Sequence, residues 1–296
     1  MSAPTFFDTP VTGGALKSAR WGHGSRTVLG IHGITASSLS FAPVARHLGS
    51  DATLVAPDLR GRGQSDSLPG PYGMRAHAAD CARVLEELGT GPVVVIGESM
   101  GGYVAVVLAV TRPDLVERLV LVDGGLPLPR VEGVDPDEAL RAFLGPALAR
   151  LGLRFDSRRS YLDFWHAHPA FIEVWNNEVE AYLNYDLVGT EPNLVSRVAL
   201  EAVKQDAADT LDTSEVVRSS LAALSAPVHL LRATRNLQNL RPPMLPDELV
   251  ERWREVVPQL TDEVVDDTNH YSIIFGERGA KTIAERVNVP PSQRTR

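Results

Sequence analysis

The 296-residue chain has a single cysteine, Cys81, which excludes an internal disulfide and any zinc site built on cysteines. It also has no apolar run approaching the roughly 18–20 residues that a membrane-spanning helix needs. The first 30 residues carry no apolar stretch, so neither a signal peptide nor an anchor is expected, and a cytoplasmic location follows. Basic residues are outnumbered, 29 against 37 acidic, for a net charge of −8. No basic cluster accompanies the motifs described below, so no nucleic-acid or membrane partner is expected. Internal repeats and low-complexity segments are missing as well. What remains is a chain that is 44% hydrophobic and 22% charged, enough to bury one large core.

The most informative segment is Val93-Val94-Val95-Ile96-Gly97-Glu98-Ser99-Met100-Gly101-Gly102. An apolar, β-branched run ends at G-x-S-x-G, and a helical pattern over 103–109 follows at once. This predicts strand, sharp turn and helix, with Ser99 at the apex as the nucleophile candidate. The flanking glycines are required because a Cβ there would meet the neighbouring strand or helix. The hydroxyl is thereby presented at the positive end of a helix.

A serine hydroxyl is a weak nucleophile at neutral pH, so this assignment demands an oxyanion site, a base and an orienting acid. Residues 27–31 predict a short buried strand, followed directly by His32-Gly33-Ile34-Thr35. The backbone amides of Ile34 and Met100 are the candidate oxyanion donors. One such donor typically contributes roughly 3–4 kcal/mol of transition-state stabilisation. His32 is assigned a structural role, because it precedes that loop and does not face the nucleophile.

The chain resembles the α/β-hydrolase superfamily over about residues 15–290. The resemblance rests on His32-Gly33, the stretch Pro57-Asp58-Leu59-Arg60-Gly61-Arg62-Gly63-Gln64-Ser65-Asp66, the elbow at 97–101, the segment 118–123 and a late histidine. It implies a mostly parallel eight-stranded sheet flanked by helices, with a helical cap inserted. The family places its base on the loop after the last strand. That position belongs to His270, which follows the alternating segment 260–265. His23, His47 and His77 lie in early loops or helices, His229 lies within a strand, and His166 and His168 lie in the insert.

The acid departs from the common family pattern. After the penultimate strand, at 228–231, the usual acid position holds Asn236, beside Arg235. Some family members, among them haloalkane dehalogenases and certain lactonases, carry the acid at the end of the strand after the nucleophile helix. Here that position is Asp123, which becomes the candidate acid. The alternatives are Asp247, Asp266, Asp267, no acid at all, or a merely turn-capping Asp123.

Strands and helices alternate up to residue 123, as a parallel sheet with crossovers requires. Residues 4–21 supply one or two leading strands, 54–56 another, and 75–88 an amphipathic helix on whose apolar stripe Cys81 lies. From 126 to 214 only helical stretches appear (136–151, 160–168 and 169–184), so the expected division is a core of 1–125 and 215–290 with a cap of 126–214. The tail, 291–296, is expected to be disordered. The insert is rich in aromatics at helical spacing, most of which should pack its own core. Trp165 and Trp175 are the candidates to line a substrate pocket. His166 and His168 lack a third ligand, so no metal is expected. Arg150, Arg154, Arg158 and Arg159 are assigned to a solvated face, and Arg60 and Arg62 to loop-fixing hydrogen bonds.

The resulting expectation is a serine hydrolase of the carboxylesterase or lactonase type, free of metal and organic cofactor. It would act on a small-molecule ester or lactone with an apolar body through an acyl-serine. The same scaffold leaves open carbon–carbon bond hydrolysis, cofactor-free perhydrolysis and a ligand-binding protein without catalysis.

Overall fold

A computed structural model describes residues 3–130, 133–211 and 214–289. The tail expected to be disordered therefore lies outside the described residues. Two leading strands, β1 (Thr5–Val11) and β2 (Gly14–Trp21), form an antiparallel hairpin. They are followed by β3 (Arg26–Ile31), α1 (Ala42–His47), β4 (Ala52–Pro57), α2 (Met74–Leu88), β5 (Val93–Glu98), α3 (Met100–Thr111) and β6 (Val116–Val122). The main sheet has eight strands in the order β1-β2-β4-β3-β5-β6-β9-β10. Its two last members, β9 (Val228–Arg235) and β10 (Leu260–Asn269), come from the C-terminal part of the chain. Within this sheet only the β1/β2 and β2/β4 pairs are antiparallel.

The central strands read as continuous apolar runs because both faces are covered. In β5, Val93 and Val95 pack in a layer with α2 and α3 residues such as Leu85 and Val104. The alternate residues Val94 and Ile96 pack on the opposite side with Val44 of α1 and Ile283 of the closing helix. β6 repeats the pattern: Leu119 and Leu121 on one side, Val120 and Val122 on the other. Cys81 is fully buried on the first side, and burial pushes its thiol well above the ordinary range.

Between β6 and β9 no described residue adds a strand to the main sheet. The insertion contains α4 (Pro136–Leu144), α5 (Pro146–Ala149), α6 (Arg158–His166), α7 (Asn177–Tyr185), α8 (Leu200–Ala208) and α9 (Glu215–Ala223). It also contains a small antiparallel ribbon, β7 (Leu187–Val188) with β8 (Val195–Ser196), where only helices were expected. Two-residue strands are too short to show a period in sequence. The fold closes with α10 (Asp247–Arg254), α11 (Ser272–Phe275) and α12 (Glu277–Asn288). Among the described residues, no helix is long and apolar enough to cross a membrane.

The arginine cluster assigned to a solvated face is split by the structure. Arg154, Arg158 and Arg159 are exposed, but Arg150 is 2% exposed. Its guanidinium pairs with Asp186 at 3.1 Å, donates to the Thr35 carbonyl at 2.7 Å and lies over the Trp165 ring at 5.3 Å. A buried guanidinium needs a carboxylate and several acceptors. Asp186 supplies the former from 36 residues away, a distance at which sequence spacing is silent.

Candidate active site

The sequence-predicted groups converge at the carboxyl ends of the parallel strands, where open α/β sheets build their crevices. Ser99 sits between β5 and α3 with φ 52° and ψ −121°, a conformation L-residues rarely adopt. The chain can turn there because glycines flank it. A Cβ on Gly101 would lie 1.9 Å from the Ile31 carbonyl oxygen, and one on Gly97 would lie 2.5 Å from the Gly101 carbonyl oxygen. The Ser99 amide donates to the Val122 carbonyl at 2.9 Å, which ties the turn to β6.

His270 directly follows β10. Its loop is held by Asn269, whose Oδ1 accepts the amides of Tyr271 at 2.9 Å and Ser272 at 2.8 Å. From there the imidazole Nε2 reaches Ser99 Oγ at 3.1 Å, and Nδ1 meets Asp123 Oδ2 at 2.7 Å. Asp123 is fully buried at the end of β6, at φ 45°. Its Oδ1 accepts the Ala233 amide at 3.1 Å. Of the carboxylates weighed from sequence, Asp123 alone touches the imidazole. The Asp247 side chain is 81% exposed and pairs with Arg232; that of Asp267 is 83% exposed; Asp266 is exposed. Asn236, in the usual acid position, instead caps a turn, accepting the amides of Gln238 and Leu240.

Burial lowers the His270 pKa, but the hydrogen bond and charge of Asp123, with the charge of Glu98, outweigh it. The net shift is upward from the ordinary histidine value. With Asp123 accepting from Nδ1–H, the neutral imidazole presents a bare Nε2 to the serine.

Neither the Ile34 nor the Met100 backbone N–H has an acceptor among the described residues. Both residues line space beside Ser99. The loop carrying Ile34 is held by His32 and Arg62. His32 is fully buried, and burial drives its pKa down to about 3, so it is neutral. Its Nδ1–H donates to the Gly33 carbonyl at 2.8 Å, and its Nε2 accepts the Leu59 amide at 3.0 Å, a structural histidine as expected. Arg62 donates Nε–H to the Ile34 carbonyl at 3.0 Å and forms a fully buried ion pair with Asp206 of α8 at 2.6 Å. Arg60 pairs with buried Asp80 in two hydrogen bonds.

Glu98, inside the elbow motif, is a functional-site residue that the sequence reading passed over. It is 6% exposed, and its Oε2 accepts the Gly33 amide at 2.8 Å. Its Oε1 lies 3.7 Å from His270 Nε2. Burial pushes its carboxyl up to about 7; the neighbouring His270 and the Gly33 amide pull it down, and Asp123 pushes it up. Tyr271 lines the same cavity as Glu98. The sequence signal was available: a charged residue ends a strand whose other five members are all buried and uncharged.

A group whose folded pKa lies above its unfolded one binds more protons in the native state, so its contribution to stability falls as pH rises between the two values. For Glu98 that window runs from about 4.5 to about 7. Glu98→Gln keeps an acceptor for the Gly33 amide and removes the ionisation. Its melting temperature should gain on the unsubstituted protein by about 5 °C between pH 5 and pH 8, measured by calorimetry. A constant gap would show that Glu98 ionises at its ordinary pKa.

Two cavities meet at Ser99, sharing Ile34 and Leu144. One is bounded by Tyr182, Leu237, His270, Tyr271 and Phe275, the other by Tyr103, Leu128, Leu140, Phe143 and Met244. The insertion therefore lines the site through α4 and α7. The two tryptophans proposed for this role do not line it, and that expectation is corrected. Trp165 is 3% exposed and packs edge-on against Phe164 and Phe171, above Arg150. Trp175 stacks on His166 with ring centroids 3.4 Å apart, donates to Glu180 and borders a separate surface groove. Helical spacing found the aromatics, but which face met the cleft depended on how the insertion docks. Among the described residues, no group of three or more His, Cys, Asp or Glu side chains is placed to hold a metal ion.

Comparison with known proteins agrees with this architecture. The chain is 42% identical over 130 residues to the lipase LipV of Mycobacterium tuberculosis, covering 43% of this chain and 49% of that one. It is 39% identical over 114 residues to an esterase of the same organism, covering 38% of each. The chain thus spans about half or less of the length of these curated relatives. Among solved structures, an E-2-(acetamidomethylene)succinate hydrolase superposes with a TM-score of 0.78 at 22% identity, covering 96% of this chain and 100% of that one, a likeness of fold. The family model for the alpha/beta hydrolase fold matches residues 26–277, and the chain belongs to that family.

Proposed function

We propose that this protein is a serine hydrolase that cleaves a carboxylic ester or lactone with an apolar body through an acyl-serine intermediate. The observation that carries this reading is the unbroken relay from Asp123 through His270 to Ser99 Oγ, next to two backbone N–H groups with no other acceptor. His270 Nε2 takes the Ser99 proton as Oγ attacks the acyl carbon. The Ile34 and Met100 amides stabilise the oxyanion, and His270 then returns the proton to the departing alcohol oxygen. Water repeats the sequence on the acyl-serine and releases the acid. The serine in the elbow argues against chemistries that need an aspartate ester. The likeness to a lipase and an esterase supports ester cleavage. The helical insertion serves as the cap, and its apolar side chains Leu140, Phe143 and Leu144 favour an apolar substrate body.

The test is a panel of aryl esters and aromatic lactones, with fluorophosphonate labelling read by peptide mass spectrometry. Turnover together with phosphonylation at Ser99 is the expected result. A labelled Ser99 without turnover on any member would restrict the substrate to another acyl class. No labelling with retained binding of an apolar ligand would overturn the enzymatic reading in favour of a binding protein.

A further inference from the structure

The resting geometry leaves one part of the second half-reaction without an assigned group. Water must be held beside the acyl-serine with a proton aimed at His270 and a lone pair aimed at the acyl carbon. We propose that Glu98 Oε1 and His270 Nε2 together hold the deacylating water, with Ser40 Oγ as a third partner, in the cavity under the residue 33–36 loop. The inference rests on the acyl-serine reading above.

Three observations carry it. Glu98 Oε1 and His270 Nε2 are 3.7 Å apart, too far for a direct hydrogen bond. The separation suits one water about 2.8 Å from each. Both residues line the cavity beside Ser99, whose roughly 30 Å³ is more than one water needs. Ser40, 1% exposed, lines the same cavity, and its Oγ is without a hydrogen-bond partner. A buried hydroxyl left unpaired is costly, and a water supplies what it lacks.

Glu98 Oε2 accepts the Gly33 amide, and Oε1 lies across from His270 Nε2, placed to accept from the water. The water donates one hydrogen to Oε1 and one to Nε2, turning a lone pair toward the acyl carbon. Its oxygen then bonds to that carbon, and the proton passes to Nε2. The tetrahedral intermediate collapses by breaking the carbon–Oγ bond. Oγ recovers the proton from His270, and the carboxylic acid leaves. Acylation uses no water, so the water-positioning role of Glu98 falls in deacylation, while its charge on His270 and its hold on Gly33 serve both half-reactions.

Glu98→Gln separates this role from support of the loop. Its amide oxygen still accepts from Gly33, and its NH2 then faces the water and donates to the lone pair needed for attack. With a p-nitrophenyl ester on the alkaline plateau of the pH profile, where the shift of the His270 pKa no longer matters, kcat should fall 10- to 100-fold while kcat/KM, which reports acylation, stays within about threefold. A pre-steady-state burst approaching one nitrophenol per site should appear, with the acyl mass on Ser99 in intact-protein spectra. Ser40→Ala, which leaves the Gly33 contact untouched, should slow deacylation about three- to tenfold in the same assay. Parallel losses in kcat and kcat/KM for Glu98→Gln would make Glu98 a loop support only and overturn the proposal. Unchanged deacylation in both variants would overturn it equally. Failure of the acyl-serine reading is distinct, because the unsubstituted protein would then show neither turnover nor labelling at Ser99.

Discussion

Ser99→Ala is expected to lower kcat for any ester the protein turns over by about 10,000- to 1,000,000-fold, with the residual rate coming from binding and the oxyanion donors. Removing Oγ leaves His270 with no proton to accept at 3.1 Å and leaves the acyl group no covalent acceptor. The fold should survive, because the Ser99 contacts to β6 and α3 use its backbone alone. A second variant separates the chemistry from the strain. At φ 52° and ψ −121°, Ser99 holds a conformation that costs a non-glycine residue of order 1–3 kcal/mol. Ser99→Gly should therefore be as inactive as the alanine variant and melt a few degrees higher than it. Steady-state kinetics and calorimetry on the two variants check both statements. An alanine variant retaining more than about one hundredth of the activity would place the nucleophile elsewhere.

Much of this arrangement was legible because the chemistry is confined to chain segments whose local pattern is strong. The run Val93–Ile96, broken by glycine and resumed as a helix, admits one geometry. The main-chain groups expected to bind an oxyanion follow from the same turn and from the residue 32–35 loop. Asp123 was legible by position, since a carboxylate ending a buried parallel strand next to the nucleophile strand must face the same crevice. What escaped depends on docking between segments far apart in sequence. Glu98 becomes a site residue because β3 pairs with β5 and brings Gly33 over its carboxyl. Arg150 leaves solvent because the insertion brings Asp186 to it and docks it against the Thr35 carbonyl of the core. Trp165 and Trp175 turn away from the cleft while Tyr182 and Leu144 line it, a choice of helix rotation that a 3.6-residue period does not contain.

Asp123→Asn should cost about 10,000-fold in kcat with little change in KM, a loss driven by tautomer and not by distance. The orientation of the substituted amide is dictated by the neighbour on β9. The Ala233 N–H occupies Oδ1 and requires an acceptor there, so the amide oxygen stays on that side. Its NH2 must then replace Oδ2 and donate to His270 Nδ1. Nδ1 can accept only if the imidazole proton moves to Nε2, the atom that must receive the Ser99 proton. The base is thereby blocked with every heavy atom in place. The substitution also removes the hydrogen bond and charge that raise the His270 pKa. Because His270 must be neutral to act, activity rises with pH through that pKa, and the residual activity of the variant should rise at a lower pH than that of the unsubstituted protein. Burial, which lowers the pKa, is then opposed only by the charge of Glu98. A pH profile of kcat/KM for both proteins, with melting curves as a control for folding, makes the comparison. A loss below tenfold with an unmoved acid limb would remove Asp123 from the relay and leave it as a strand-end cap.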